Sequence, residues 1–295
     1  MISTQLAANW WVRLTTAQGV VKNTSRLYRK SPLKGLNRGN CVKLTGALLV
    51  AVLVLSGCAT QSNSTYKQKS MPERIDAWNN VAREYIRLQQ YEDAKRPLKQ
   101  ALDIDPKAAN SLMLMAYVFQ RQGESVIADD YYRQALKSSP SDASVNNNYG
   151  IFLLTEQRYS EACQYLAKAA NTPLYDQRTS ALENLASCYA YAGDIDEAEQ
   201  TYHQVLRLNP NSPNALIELG AIEYERQQYG QSYQYFEQFS TLVRLRQTEH
   251  SAKSLYLGIL LARENSDPAK AATYALLLKN MYPDSVEYQR YKESR

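Results

Sequence analysis

The chain has 295 residues and carries 34 Lys and Arg against 29 Asp and Glu, a formal net charge of +5. Eight of the basic residues and none of the acidic ones lie in residues 1–57, so residues 58–295 hold 26 basic and 29 acidic residues, a net charge of −3. Proteins that bind nucleic acid present a basic surface. We therefore expect no nucleic-acid partner for the acidic part of the chain.

The first predicted element is an apolar run of 14 residues from Leu44 to Gly57, within the stretch LTGALLVAVLVLSGCAT. A helix needs about 20 apolar residues to cross a bilayer, so this run is too short to span it. Lys43 precedes the run and small residues end it, which is typical of a secretory signal. The polar residues that follow favour a flexible tether over a buried helix.

Residues 55–58, LSGC, at the end of this element resemble the lipobox of bacterial lipoproteins. The resemblance implies that the thiol of Cys58 receives a covalent lipid, that residues 1–57 are removed, and that residues 58–74 form the tether. It implies no other cofactor. We also hypothesise that translation starts at Val42, because such a signal normally begins a few residues before its apolar stretch. The alternative is an extended N-terminal region.

A repeat with a period of 34 residues follows the tether. Pro106 and Pro140 are 34 residues apart, and aligning the segments before them superimposes large residues on large and small residues on small. This spacing predicts two helices that pack face to face, with small residues where they approach closely. The aligned positions are Trp78, Val81, Ala82, Tyr85, Ala94, Leu98 and Ala101 in the first unit and Leu112, Met115, Ala116, Phe119, Ala128, Tyr132 and Ala135 in the second.

The pattern continues to Pro283 and resembles the tetratricopeptide repeat, in six copies. The resemblance implies an all-α fold, a superhelical solenoid of helix-turn-helix repeats in which each unit buries its apolar face by stacking on its neighbours. We place this domain at residues 75–295. Its repeats are predicted near 75–108, 109–142, 143–178, 179–212, 213–250 and 251–284, followed by a C-terminal tail.

In such repeats the first helix lines the concave surface of the array, which predicts the positions that a partner contacts. In the first three repeats these positions include six apolar residues: Ile86, Met113, Leu114, Tyr117, Ile151 and Leu154. We expect an exposed apolar stretch that binds an extended or helical apolar segment of another protein. The alternative is that some of these residues only pack neighbouring repeats together. Leu114 and Asn148 also break the Lys, Arg and Asn pattern of repeats that clamp a C-terminal carboxylate.

Two cysteines, Cys163 and Cys188, lie in neighbouring predicted repeats. A disulfide between them fits an oxidising compartment, and two buried free thiols fit an ordinary helical core. Sequence spacing does not decide the pairing. Of the two alternatives we favour the free thiols.

No motif of catalysis or metal binding stands out. The sequence contains no G-x-x-x-x-G-K-[ST], H-E-x-x-H or G-x-S-x-G, and its two histidines, His203 and His250, fall in separate repeats. We therefore expect a protein that is not an enzyme and that binds neither a metal nor a small-molecule substrate.

The C-terminal part of the chain adds a resemblance to one particular family of tetratricopeptide-repeat proteins. The segments SLYLGILLAREN, YALLLKNMYPDS and VEYQRY, together with the lipobox and the six repeats, resemble the PilF/PilW family of type IV pilus biogenesis lipoproteins. This resemblance implies a pilotin, whose partner is the pilus secretin and which promotes the localisation and multimerisation of the secretin in the outer membrane. Ala59, in place of the aspartate that retains lipoproteins in the inner membrane, implies the periplasmic face of the outer membrane. The alternatives are a lipoprotein of outer-membrane protein assembly and an adaptor for peptidoglycan enzymes.

Overall fold

The computed structural model describes residues 69–294, which contain thirteen α-helices and no β-strand. The predictions for Cys58, Val42 and residues 1–57 concern positions outside this described part. The helices, numbered here in chain order, are α1 Met71–Arg87, α2 Tyr91–Ile104, α3 Ala109–Arg121, α4 Ser125–Ser138, α5 Ala143–Thr155, α6 Tyr159–Ala170, α7 Arg178–Ala192, α8 Ile195–Leu208, α9 Pro213–Glu225, α10 Tyr229–Arg244, α11 Ala252–Glu264, α12 Pro268–Met281 and α13 Val286–Glu293.

Consecutive helices pair into six hairpins, from α1 with α2 to α11 with α12, and the hairpins pack in chain order. The alanines predicted at the contact between paired helices are fully buried, as at Ala94, Ala128, Ala162 and Ala198. Beyond the sixth hairpin, α13 packs against α11 and α12. The predicted all-α solenoid of six tetratricopeptide repeats is confirmed.

The ends of the helices use residues that satisfy the first unpaired backbone N–H groups. Asp142 precedes α5, and its carboxylate accepts hydrogen bonds from the backbone N–H groups of Ser144 and Val145, at 2.8 and 3.0 Å. Ser212 precedes α9 and accepts in the same way, and Pro213 occupies the first turn, where its missing N–H costs nothing. Capping side chains therefore fix the start of the first helix in the third and fifth repeats.

Glycine lets neighbouring helices approach closely at two positions. A Cβ atom added to Gly150 on α5 would lie 2.6 Å from Cγ of Leu166 on α6. At Gly258 on α11, an added Cβ would lie 2.8 Å from Cζ of Phe236 on α10. Such distances are shorter than carbon atoms tolerate, so a larger residue would force the packed side chains or the helices apart. The repeat therefore needs a residue without a side chain at these two positions.

The first repeat departs from the predicted core. Trp78 and Val81 on α1 are 38% and 43% exposed, whereas the aligned Leu112 and Met115 on α3 are 3% and 6% exposed. The reason is the position of the repeat in the array. α3 is covered by α1 and α2, but among the described residues no preceding hairpin covers α1. The prediction that Trp78 and Val81 belong to the core is therefore wrong.

The two cysteines form a disulfide between the third and fourth repeats. Cys163 on α6 and Cys188 on α7 are bonded, with their Cα atoms 5.6 Å apart. α6 and α7 pack against each other, and this contact brings together two residues that are 25 positions apart in the sequence. Our preference for free thiols is therefore wrong, because the packing of adjacent repeats was needed to place the two side chains.

His250 lies in the connection between the fifth and sixth repeats, between aromatic rings from both. Its ring centroid is 5.6 Å from that of Phe239 on α10 and 5.8 Å from that of Tyr274 on α12. Its Nδ1 atom is 3.1 Å from Oγ of Ser254. Burial lowers the pKa of this imidazole below its ordinary value, because the surroundings disfavour the charged form.

We expect His250 to make the stability of the protein depend on pH. In the unfolded chain a histidine binds a proton near pH 6.5, whereas folded His250 stays neutral to lower pH because its pKa is depressed. The free energy of unfolding should therefore fall as the pH is lowered from about 7 to about 5, and part of this fall should be absent in His250→Gln. Urea unfolding of the wild type and of His250→Gln at several pH values measures this change in the free energy of unfolding. A difference between the two proteins that is constant with pH would contradict this prediction.

Candidate functional site

The candidate site is the surface formed by the first helices of the repeats, which we call the groove. α1, α3 and α5 each contact the next first helix along the array, and α9 contacts α11. Polar pairs join them: the buried Ser111 hydroxyl donates a hydrogen bond of 2.8 Å to Oδ1 of Asn79, and the half-buried Asn184 amide donates one of 3.1 Å to Oδ1 of Asn147. From α1 to α7 the groove is therefore built on one row of packed helices.

Four of the six predicted groove residues are half-buried at this surface. They are Ile86 on α1, Tyr117 on α3, and Ile151 and Leu154 on α5. Burial raises the pKa of the Tyr117 hydroxyl above its usual value. An apolar side chain of a partner would cover more of these four residues, which is the main source of binding energy at such a surface.

The other two predicted groove residues are buried. Met113 and Leu114 are each 8% exposed and belong to the main hydrophobic core. The expectation that they are exposed is therefore wrong. The physical reason is that adjacent first helices pack closely enough to cover these positions. For these two residues the structure agrees with the alternative, packing between repeats.

Arginines flank the apolar residues on the side of the first two repeats. The Arg83 guanidinium on α1 donates a hydrogen bond of 3.0 Å to Oδ1 of Asn110 on α3. The Arg121 guanidinium lies 5.6 Å from the ring centroid of Tyr91. Both arginines are exposed, so this end of the groove presents positive charge.

Two acidic side chains that were not predicted from the sequence lie further along the groove. Glu183 on α7 accepts a hydrogen bond of 2.6 Å from the Ser212 hydroxyl, and burial raises the pKa of its carboxyl group. Glu218 on α9 pairs with Lys253. The sequence could have indicated both residues, because Glu183 aligns with Met113 and Glu218 aligns with Leu114 when the repeats are superimposed. The groove therefore carries arginines at the first two repeats and carboxylates at the fourth and fifth repeats.

This arrangement suits binding of a polypeptide. Apolar side chains, hydrogen-bonding amides and separated charges are what a groove needs to hold a segment of another protein. In residues 69–294 we find no cluster of three or more His, Cys, Asp or Glu that would hold a metal ion. The helices of the same part of the chain are all too short or too polar to cross a membrane.

The comparisons with known proteins agree with this geometry. A family model for the tetratricopeptide repeat matches residues 59–220. The chain is 36% identical over 253 residues to the type IV pilus assembly protein PilF of Pseudomonas aeruginosa, an alignment that covers 84% of this chain and 98% of that protein. It is also 31% identical over 142 residues to the cellulose synthase 1 operon protein C of Komagataeibacter xylinus, but covers only 11% of that protein.

Two solved structures are similar over most of their length. The P. aeruginosa PilF structure superimposes with a TM-score of 0.70 at 36% identity and covers 77% of this chain and 100% of that one. The structure of PilW, a widely conserved type IV pilus biogenesis factor, gives a TM-score of 0.63 at 30% identity, over 74% of this chain and 97% of that one. The repeat fold, the identity and the nearly complete coverage of both relatives together show that this chain belongs to the PilF/PilW family of tetratricopeptide-repeat proteins of type IV pilus biogenesis.

Proposed function

We propose that the protein is a pilotin of the type IV pilus system, which binds the secretin subunit in its groove and promotes assembly of the secretin ring. Membership of the PilF/PilW family supports a role in pilus biogenesis. The observation that carries the groove assignment is the row of half-buried apolar residues, Tyr117, Ile151 and Leu154, on the surface of α3 and α5. Such a row suits an apolar segment of a partner that has not yet assembled.

We propose that the protein acts from a lipid on Cys58 at the periplasmic face of the outer membrane. The lipid would hold the captured secretin monomer at the membrane, and this raises the local concentration of monomers for multimerisation. The groove would cover an apolar segment that otherwise aggregates. In this mechanism the protein makes and breaks no covalent bond of its partner, so it is a scaffold and not an enzyme.

Charged substitutions in the groove test the proposal. In Tyr117→Glu/Ile151→Glu, two half-buried apolar contacts become carboxylates that resist burial, so the amount of secretin multimer in outer-membrane fractions should fall by about tenfold or more. The matched control is Val126→Glu on α4, an exposed apolar residue away from the first helices, which should leave the multimer unchanged. Circular dichroism confirms that each variant is folded.

Two outcomes would contradict the proposal. A folded double variant that still supports normal multimer levels would show that the groove does not bind the secretin. Co-purification of the wild-type protein with a barrel insertase or a peptidoglycan enzyme, in place of the secretin, would assign the protein to one of the two alternative classes. For the anchor, Cys58→Ser should release the protein from membranes into the soluble periplasmic fraction.

A further inference from the structure

At each junction between repeats a second helix packs against the next first helix, and we call the space between the start of the former and the end of the latter the notch. At three of the five junctions the chain fills this notch with its own arginine. Arg121 lies over Tyr91 at the first junction, Arg158 donates to Asp129 at 3.0 Å at the second, and Arg226 donates to Asp196 and Glu199, both at 2.6 Å, at the fourth. At the third junction Tyr191, which aligns with Arg121, stacks on Tyr159 with the ring centroids 5.9 Å apart.

The notch at the fifth junction is open. It forms a cavity of about 480 Å³ between α10, the end of α11 and the start of α12. The sequence explains the opening: Glu264 stands where the fourth junction has Arg226, and Gly230 stands where it has Asp196. Arg263, which aligns with Arg121, turns away to lie 5.5 Å from the ring of Tyr291. The chain therefore supplies no arginine to this notch.

The walls of the cavity carry the groups that bind a cation. Tyr229 and Tyr233 line it from α10, and Glu264 and Asp267 line it from the other side. Glu264 accepts a hydrogen bond of 3.2 Å from the Tyr224 hydroxyl, and among the described residues it forms no ion pair. Aromatic ring faces and an unpaired carboxylate attract a guanidinium by cation–π and charge-assisted hydrogen bonding.

One cation already present in the cavity shows that these walls accept positive charge. The Lys270 ammonium lies 5.7 Å from the ring centroid of Tyr233 and 3.5 Å from a carboxylate oxygen of Glu237. Glu237 balances the charge of Lys270, and Asp267 caps α12 through the backbone N–H of Lys270. Tyr224 packs on one side of the Tyr229 ring, with ring centroids 5.1 Å apart, and donates to Oε1 of Glu264. The exposed part of the Tyr229 ring, which is 36% exposed, and Oε2 of Glu264 remain for a second cation.

We propose that this cavity binds an arginine side chain of another polypeptide, with its guanidinium between the Glu264 carboxylate and the ring of Tyr229. The arginine of the partner would fill the notch at the fifth junction, as Arg121, Arg158 and Arg226 fill the notches at three other junctions. The cavity is lined in part by the end of α11 but by none of the six residues predicted for the groove, and the inference does not rest on the proposed function. It makes the fifth junction a second anchoring point for a partner.

Titration of the ¹⁵N-labelled full chain with N-acetyl-arginine methylamide tests the proposal. Shifts are expected at the backbone amides of Gly230, Gly258 and Asn265, which surround the cavity. N-acetyl-citrulline methylamide has the same shape without the charge, and should bind about tenfold more weakly because it loses the charged hydrogen bonds. Glu264→Gln should remove this preference for arginine.

The control variant is Glu225→Gln, which changes an exposed carboxylate next to Tyr224 but outside the cavity. It should retain the wild-type preference. Equal binding of the two probes, no shifts around the cavity, or an unchanged preference in a folded Glu264→Gln protein would each overturn the proposal. Equal binding would also show that the cavity accepts a neutral side chain.

Discussion

Removing the Cys163–Cys188 disulfide should lower the free energy of unfolding by about 3.5 kcal/mol. The bond closes a loop of 25 residues, and a loop of this length restricts the unfolded chain by about that amount. In a chain of this size the corresponding fall in Tm is roughly 10 °C. The measurement is urea or thermal unfolding of Cys163→Ser/Cys188→Ser beside the wild type.

Reducing agent provides the control for this prediction. Dithiothreitol should lower the stability of the wild type to near that of the double variant, and should leave the double variant unchanged. The single variant Cys163→Ser should resemble the double variant, because either cysteine alone cannot form the bond. If wild type and double variant unfold at the same urea concentration, the disulfide does not stabilise the repeat array.

Met113→Asp should destabilise the fold by about 4 kcal/mol or more. The side chain is 8% exposed within the core, so the substitution loses the packing of a methionine and places a carboxylate in an apolar environment. Since native proteins are stable by only about 5–15 kcal/mol, this is a large fraction of the total. Chemical unfolding of the variant measures the effect.

Two further variants separate folding from binding at this position. Met113→Leu conserves volume and polarity and should cost less than about 1.5 kcal/mol. Tyr117→Glu, one helical turn along α3, places its charge at a half-buried position and should disturb binding more than folding. A Met113→Asp protein that is as stable as wild type would show that Met113 lies on the groove surface.

The fold could be predicted from the sequence because the repeat signal is local and redundant. Ala94 and Leu98 recur as Ala128 and Tyr132 at a spacing of 34 residues, and each copy predicts the same pair of packed helices. The same regularity led to the wrong prediction that Trp78 is buried. Alignment gives residue types at equivalent positions, but the burial of a position depends on the neighbouring repeat, which differs at the end of the array.

The candidate site was predicted only in part, because its residues are defined by contacts between repeats. Tyr117 and Ile151 are half-buried, and the burial of Met113 depends on the distance between α3 and the adjacent first helices. The pairing of Cys163 with Cys188 depends on the angle between α6 and α7 in the same way. The periodicity within one repeat predicts neither the distance between first helices nor the angle between α6 and α7.

The two ends of the array differ in a way that limits how copies of the protein can associate. At one end α13 packs over α11, where Leu255 and Ile259 are fully buried, while at the other end α1 leaves Trp78 exposed. A head-to-tail contact would have to join the exposed face of one copy to a face that its neighbour has already covered. Stacking of copies end to end into an open-ended filament through these two faces is therefore disfavoured.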